Sequence, residues 1–197
     1  MTQDPYDVRD PYDDPQALGL VLDQGRGSLP FALIHGEALV ACAAWALGDA
    51  DVRLVDADLD WESIQLNEAP LVLHDPLCPM TPASFIATCV SQALATGAVV
   101  VGARPVTDTV KHVEDSVVGA TVDREALRVV CSPIVLPAEV VASLPGPPDP
   151  DFARAVSSLA VDHEVTFLEA PPEARRVASA DDVAVLEALT AERPRIR

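Results

Sequence analysis

Short apolar runs alternate with longer amphipathic stretches along most of this chain. Leu18-Gly19-Leu20-Val21-Leu22 is a run of buried-strand type, and Val52 to Val55, Pro70 to Leu73 and Ala98 to Gly102 repeat it. Between the first two, Glu37 to Leu47 carries a helical pattern. A second helix opens at Thr81-Pro82, where a threonine hydroxyl can cap free amides and a proline fits the first turn. Ser179-Ala180-Asp181-Asp182 reads as a capping box that starts a last helix through about Leu189. Alternating strands and helices predict an α/β fold with a mostly parallel sheet covered on both faces. Ligands of such sheets bind beyond the carboxyl ends of the strands, and His74-Asp75 falls at one of these ends.

Val106 to Val130 has a different pattern. β-Branched residues at Val110, Val113, Val117, Val118, Thr121 and Val122 are interleaved with charges and with Gly119. This suits an arm of two exposed antiparallel strands, and a lone hairpin is barely stable in water, so a partner surface is expected.

Residues 1–16 repeat Asp4-Pro5-Tyr6-Asp7 as Asp10-Pro11-Tyr12-Asp13. Proline blocks helix and the aspartates repel one another, which predicts a disordered acidic tail ahead of a single domain over residues 17–197. The 31 acidic against 13 basic residues give a formal charge of -18, which repels both a phosphate backbone and an anionic bilayer. No nucleic acid and no membrane is expected as partner. No apolar run reaches the roughly 20 residues of a membrane helix, and the acidic N-terminus is unlike a secretory signal, so the expected location is cytoplasmic. Cys42, Cys78, Cys89 and Cys131 are too widely spaced for a Cys-x-x-Cys clip and read as reduced thiols.

Some chemical signals fail on inspection. Asp56-Ala57-Asp58-Leu59-Asp60 begins like a calcium loop, but Trp61 occupies the glycine position and Asn67 that of the bidentate glutamate, leaving a solvated acidic turn. His35, His112 and His163 have no partner spacing for a metal site or a triad and are assigned no role.

Three motifs carry the functional reading. They are His74-Asp75-Pro76-Leu77-Cys78-Pro79, Pro105-Val106-Thr107-Asp108-Thr109-Val110-Lys111-His112 and Thr121-Val122-Asp123-Arg124. In order and spacing the chain resembles the 2-C-methyl-D-erythritol 4-phosphate cytidylyltransferase family, whose pattern reads His-Asp-Ala-Ala-Arg-Pro, Pro-Val-x-Asp-Thr-x-Lys-Arg and Thr-Val-Asp-Arg. The resemblance runs from about Leu18 to Leu189 and implies a Rossmann-like sheet, with the arm at about 106–130 embracing a second subunit in a homodimer. It also implies transfer of a cytidylyl group from CTP to a phosphorylated acceptor, with Mg2+ absorbing charge as pyrophosphate leaves.

Carried over position by position, Asp75 is the catalytic residue and the Mg2+ ligand. Thr109, Ser132 and Arg176 match positions that hold the acceptor's phosphate, and the resemblance brings Arg124 to that phosphate from the neighbouring subunit. Gly25, Arg26 and Gly27 stand for the nucleotide loop, though a short Gly-rich run is by itself a weak signal. Arg175 joins Arg176 before a helix start, where a cation gains nothing from the helix dipole and a ligand role is favoured.

Three departures fall on the nucleotide side. Phe31 stands where the family has a lysine clamp, and Cys78 stands where the His-Asp motif supplies an arginine. Only about forty residues separate Pro30 from His74, and the family's Gly-Gly-x-x-Arg-x-x-Ser segment that holds cytidine is missing. A phenylalanine neutralises no phosphate, and loss of an arginine clamp costs orders of magnitude in phosphoryl chemistry. The expectation is a homodimeric family member with a degraded CTP site, weak or inactive as an enzyme, that binds a phosphorylated small molecule or has a regulatory role. On that reading it needs no cofactor. The alternatives are an active cytidylyltransferase using Mg2+, a relative acting on another phosphorylated acceptor, and a purely structural dimer.

Overall fold

Residues 17–55, 60–114 and 116–191 are described by the computed structural model. The acidic tail over 1–16 and the acidic turn at 56–59 lie outside them. In chain order the elements are β1 (Ala17–Val21), a 3-10 turn at Leu29–Phe31, β2 (Leu33–Ile34), β3 (Glu37–Ala38), α1 (Leu39–Asp49), β4 (Val52–Leu54) and α2 (Trp61–Gln65). They continue with β5 (Leu71–His74), α3 (Ala83–Thr96), β6 (Val99–Pro105), β7 (Val110–Glu114), β8 (Val117–Val122) and β9 (Arg128–Leu136). The last are α4 (Ala138–Ser143), α5 (Phe152–Asp162), β10 (Val165–Glu169) and α6 (Ala180–Thr190).

Six strands form one sheet in the order β10-β6-β9-β5-β1-β4. β9 runs antiparallel to both of its neighbours, and the other pairings are parallel. The sheet is therefore mostly parallel and Rossmann-like. Its central strands are buried on both faces, which is why they read as unbroken apolar runs. Leu18, Leu20, Leu71, Leu73, Val99 and Val101 face one layer, where they meet Val140 and Val141 of α4 and Phe152, Val156 and Leu159 of α5. Ala17, Val72, Val100 and Val135 face the other, against Leu47 of α1 and Ile86, Cys89, Val90 and Ala93 of α3. The two-residue period of the strands divides the core into these layers.

Local signals behave mostly as the side-chain chemistry dictates. Ser179 caps α6 by accepting from the Asp182 amide at 3.2 Å, and the Asp182 carboxylate accepts from the Ala178 amide at 3.0 Å. Asp60 caps α2 through the Ser63 amide at 2.9 Å. Two expectations need correction. α1 begins at Leu39, because Glu37 and Ala38 pair with β2 instead. Thr81 does not cap α3: its hydroxyl donates to the Cys78 carbonyl at 2.8 Å, and Pro82, expected in the first helical turn, is the N-cap.

β7 and β8 form a separate antiparallel pair outside the main sheet. Val113, Val117 and Val118 are each more than half exposed there. Among the described residues no helix is long and apolar enough to cross a membrane. All four cysteines are unpaired.

Candidate functional site

Asp75 follows β5 directly, so the strand delivers it to the carboxyl edge of the sheet. Its backbone amide donates to Ser132 Oγ at 2.8 Å, and the same hydroxyl meets His74 Nδ1 at 2.7 Å. Ser132 lies on β9, the antiparallel neighbour of β5. It reaches this place because β9 presses against Gly102 of β6, where the pairing of the two strands shifts register. A methyl group at Gly102 would lie 2.5 Å from the Ser132 carbonyl oxygen, so only glycine allows the approach.

The Asp75 carboxylate is fully engaged. Oδ1 accepts from Arg26 Nε at 3.1 Å and from the Leu77 amide at 3.0 Å, while Oδ2 accepts from Arg176 Nε at 2.9 Å. The Asp75 side chain is 2% exposed, Arg26 9% and Arg176 37%. Two cations from opposite ends of the chain thus meet on one buried anion, an arrangement that satisfies a charge which would be costly to bury alone. Arg26 also donates from Nη2 to the Pro150 carbonyl at 2.6 Å, tying the Gly-rich loop to the segment between α4 and α5. Gly25 and Gly27 flank it with φ of +74° and +60°, the left-handed turns that let the loop double back with Arg26 turned inward.

Mg2+ prefers near-octahedral oxygen coordination. Here the one carboxylate assigned to it has both oxygens in ion pairs, and the described residues hold no group of three or more His, Cys, Asp or Glu side chains placed for a metal. The residues as arranged do not fit the ion.

His74 has no exposed surface, and its Nε2 is buried without a hydrogen-bond partner. Burial lowers its pKa to about 4, so the ring is neutral at physiological pH. Burial likewise pushes the Cys131 thiol up to about 11 and the Cys78 thiol well above its usual value. Both pack with Ala170 and Ala174, so at the position of the family's arginine the chain has an inert apolar contact.

The predicted site residues separate into groups. Asp75, Arg26 and Arg176 come together. Ser132 supports Asp75 from within the core and, with no exposed surface, has no face to offer a phosphate in this arrangement. Thr109 is exposed and does not line the pocket beside Arg176, which is walled instead by Thr107 and Asp108. Arg124 donates to the Thr107 carbonyl of its own chain at 2.7 Å. Phe31, at the end of the 3-10 turn, is 63% exposed and Leu33 equally so.

One lining residue and one contact are not singled out in the sequence pattern. Arg104, on β6, lines the Arg176 pocket and donates to the Ala170 carbonyl at 2.9 Å. An arginine at the end of an apolar strand, next to Pro105-Val106, is a usable signal for it. His74 stands in a sequence motif, but its burial against Ser132 depends on β9 and gives no such signal.

The family model for 2-C-methyl-D-erythritol 4-phosphate cytidylyltransferase matches residues 59–191. The chain belongs to this family. Its fold is that of solved members. The 2-C-methyl-D-erythritol 4-phosphate cytidylyltransferase of Thermus thermophilus superposes with a TM-score of 0.61 at 21% identity, over 83% of this chain and 94% of that one. A 4-diphosphocytidyl-2C-methyl-D-erythritol synthase gives 0.62 at 17% identity, over 89% and 98%. The synthase of Anaerococcus prevotii gives 0.64 at 14% identity, over 91% and 97%. Among curated proteins no sequence matches the chain.

Proposed function

We propose that this cytidylyltransferase-family protein is a weak or inactive nucleotidyltransferase that acts as a homodimeric binding or regulatory protein, with a phosphorylated small molecule as its ligand. The observation that carries this reading is the double engagement of Asp75 by Arg26 and Arg176. The carboxylate that would serve a metal and the arginine that would clamp a triphosphate neutralise each other instead. Phe31 and Cys78 add no charge where the resembled enzymes have a lysine and an arginine. The exposed valines of β7 and β8 support the dimer, because an isolated hairpin gains stability by covering such a face.

An active cytidylyltransferase is the second reading. It is favoured by the convergence of Arg26, Asp75 and Arg176, three family-matched positions, at the carboxyl edge of the sheet. One experiment decides between them. Calorimetric titration with CTP and Mg2+, paired with pyrophosphate release from CTP and 2-C-methyl-D-erythritol 4-phosphate, should show weak binding and little or no turnover. Micromolar CTP affinity with turnover establishes the enzyme instead.

A further inference from the structure

We infer that the outer face of α1 and α3 is a self-association surface, covered by the same face of a second copy of this chain. It is separate from the β7-β8 arm and from the anion site.

Charge is the first ground. Although 22% of the chain is charged, the 14 residues of α3 include no charged side chain, and among the 11 of α1 only the last, Asp49, is charged. Among the described residues every other α-helix has at least one, such as Glu62 in α2, Glu139 in α4, Arg154 in α5 and Asp181 in α6. α1 and α3 lie side by side on one face of the sheet, with Leu47 and Ile86 in the same core layer. A neutral face two helices wide thus lies on a molecule of formal charge -18.

The second ground is what this face shows to solvent. Trp45 of α1 and Leu94 of α3 are each 55% exposed. The α3 hydroxyls add little polarity, because Thr88, Ser91 and Thr96 donate back to the carbonyls of Ser84, Ala87 and Gln92 at 2.8, 2.9 and 2.9 Å. Hydroxyls satisfied within their own helix can be covered without stranding a donor. Gly48 has nothing within 4 Å of where a Cβ would stand, so no contact inside the chain demands glycine there. An aromatic anchor in an uncharged centre, with charge only at its border, is the composition of a protein interface.

The same charge pattern selects the occupant. A basic partner would gain from carboxylates elsewhere on the molecule and nothing from this face, and an anionic bilayer is repelled by the net charge. Two copies of the chain repel through most of their surface and meet at lowest cost where neither places a carboxylate. A two-fold axis normal to the face lays α1 and α3 of one copy over those of the other, so that each Trp45 covers apolar surface of its counterpart. α3 is about 21 Å long and α1 about 16 Å, which makes the shared face roughly a few hundred Å2 per copy, at the low end of specific interfaces. Association through it is therefore concentration-dependent.

The test is sedimentation velocity of the full chain from about 5 to about 500 μM, using wild type, Val117→Asp, Trp45→Glu and Leu94→Glu. Wild type and Val117→Asp should both gain mass as concentration rises, since the arm is not involved. Trp45→Glu and Leu94→Glu should each shift that gain to at least about tenfold higher concentration, because each copy then brings a carboxylate into the contact. Their melting temperatures should match wild type; if Trp45→Glu unfolds, Leu94→Glu on the other helix reads the same outcome. A mass gain that both glutamate variants leave intact overturns the inference, and so does a wild type of constant mass. A gain abolished by Val117→Asp and untouched by Leu94→Glu assigns the association to the arm and also overturns it. In a Trp61→Phe background at the lowest concentration, acrylamide should quench Trp45 freely. Protection of Trp45 that Tyr6→Ser with Tyr12→Ser removes gives the face to the chain's own N-terminal segment and overturns self-association. None of these outcomes depends on phosphate binding.

Discussion

Gly102 and Ser132 are in backbone contact across two antiparallel strands, with space for a hydrogen between them but not for a carbon. The contact sets where the Ser132 hydroxyl stands, and that hydroxyl holds both His74 and the Asp75 amide. Gly102→Ala should therefore act as an overpacking change of about 1–3 kcal/mol. Urea unfolding measures it; an unchanged midpoint would show that β9 yields freely.

Asp75→Asn removes the anion between two guanidiniums, one of them nearly buried. Breaking a buried pair leaves an uncompensated charge and should cost about 3 kcal/mol. Release of Arg176 should at the same time tighten phosphate binding. Thermal denaturation with and without phosphate reads both effects, and a variant as stable as wild type contradicts the role assigned to the ion triad.

His74 is neutral when folded, with a pKa of about 4 against about 6.5 when unfolded. The unfolded chain binds the extra proton, so stability is fully present above pH 6.5 and declines as pH falls toward 4. The decline attributable to this ring is on the order of 3 kcal/mol. Unfolding free energies across that window should be steeper in wild type than in His74→Gln; parallel curves would place the proton elsewhere.

The arm predicts assembly. Val117 is 67% exposed and Val118 65%, on a strand pair outside the main sheet. Light scattering should give a dimer, and Val117→Asp should shift it to monomer. A wild-type monomer at working concentration counts against dimerisation through the arm.

Much of the framework is legible in the sequence because it rests on local rules. β1, β4, β5 and β6 announce themselves as apolar runs, Ser179 as a cap and the arm as alternating valines. The His74-Asp75 motif is also found where it is expected, at the carboxyl end of a strand. What the sequence does not disclose depends on distant pairs. Arg26 finds its acceptors 49 and 124 residues away, at Asp75 and Pro150. Ser132 reads as a phosphate ligand by its motif, yet β9 runs antiparallel between β5 and β6, which turns its hydroxyl into the core. α5 is readable in principle from Asp151 followed by Phe152, Ala155, Val156 and Leu159, but its proline-rich approach obscures it.

The bond from Arg26 to Pro150 gives the ion triad a mechanical sense. A triphosphate seeking Arg26 competes with a carboxylate tethered to the same molecule, at an effective concentration that covalent geometry rather than diffusion sets. If it wins, the guanidinium swings away and Pro145 to Pro150 lose their anchor on the Gly-rich loop. Anion arrival and slackening of that segment are then one event, and linkage makes the converse true: whatever grips the segment from outside would alter the loop's appetite for anions. Faster hydrogen exchange at the start of α5 on adding CTP would reveal the coupling, and unchanged exchange would sever it.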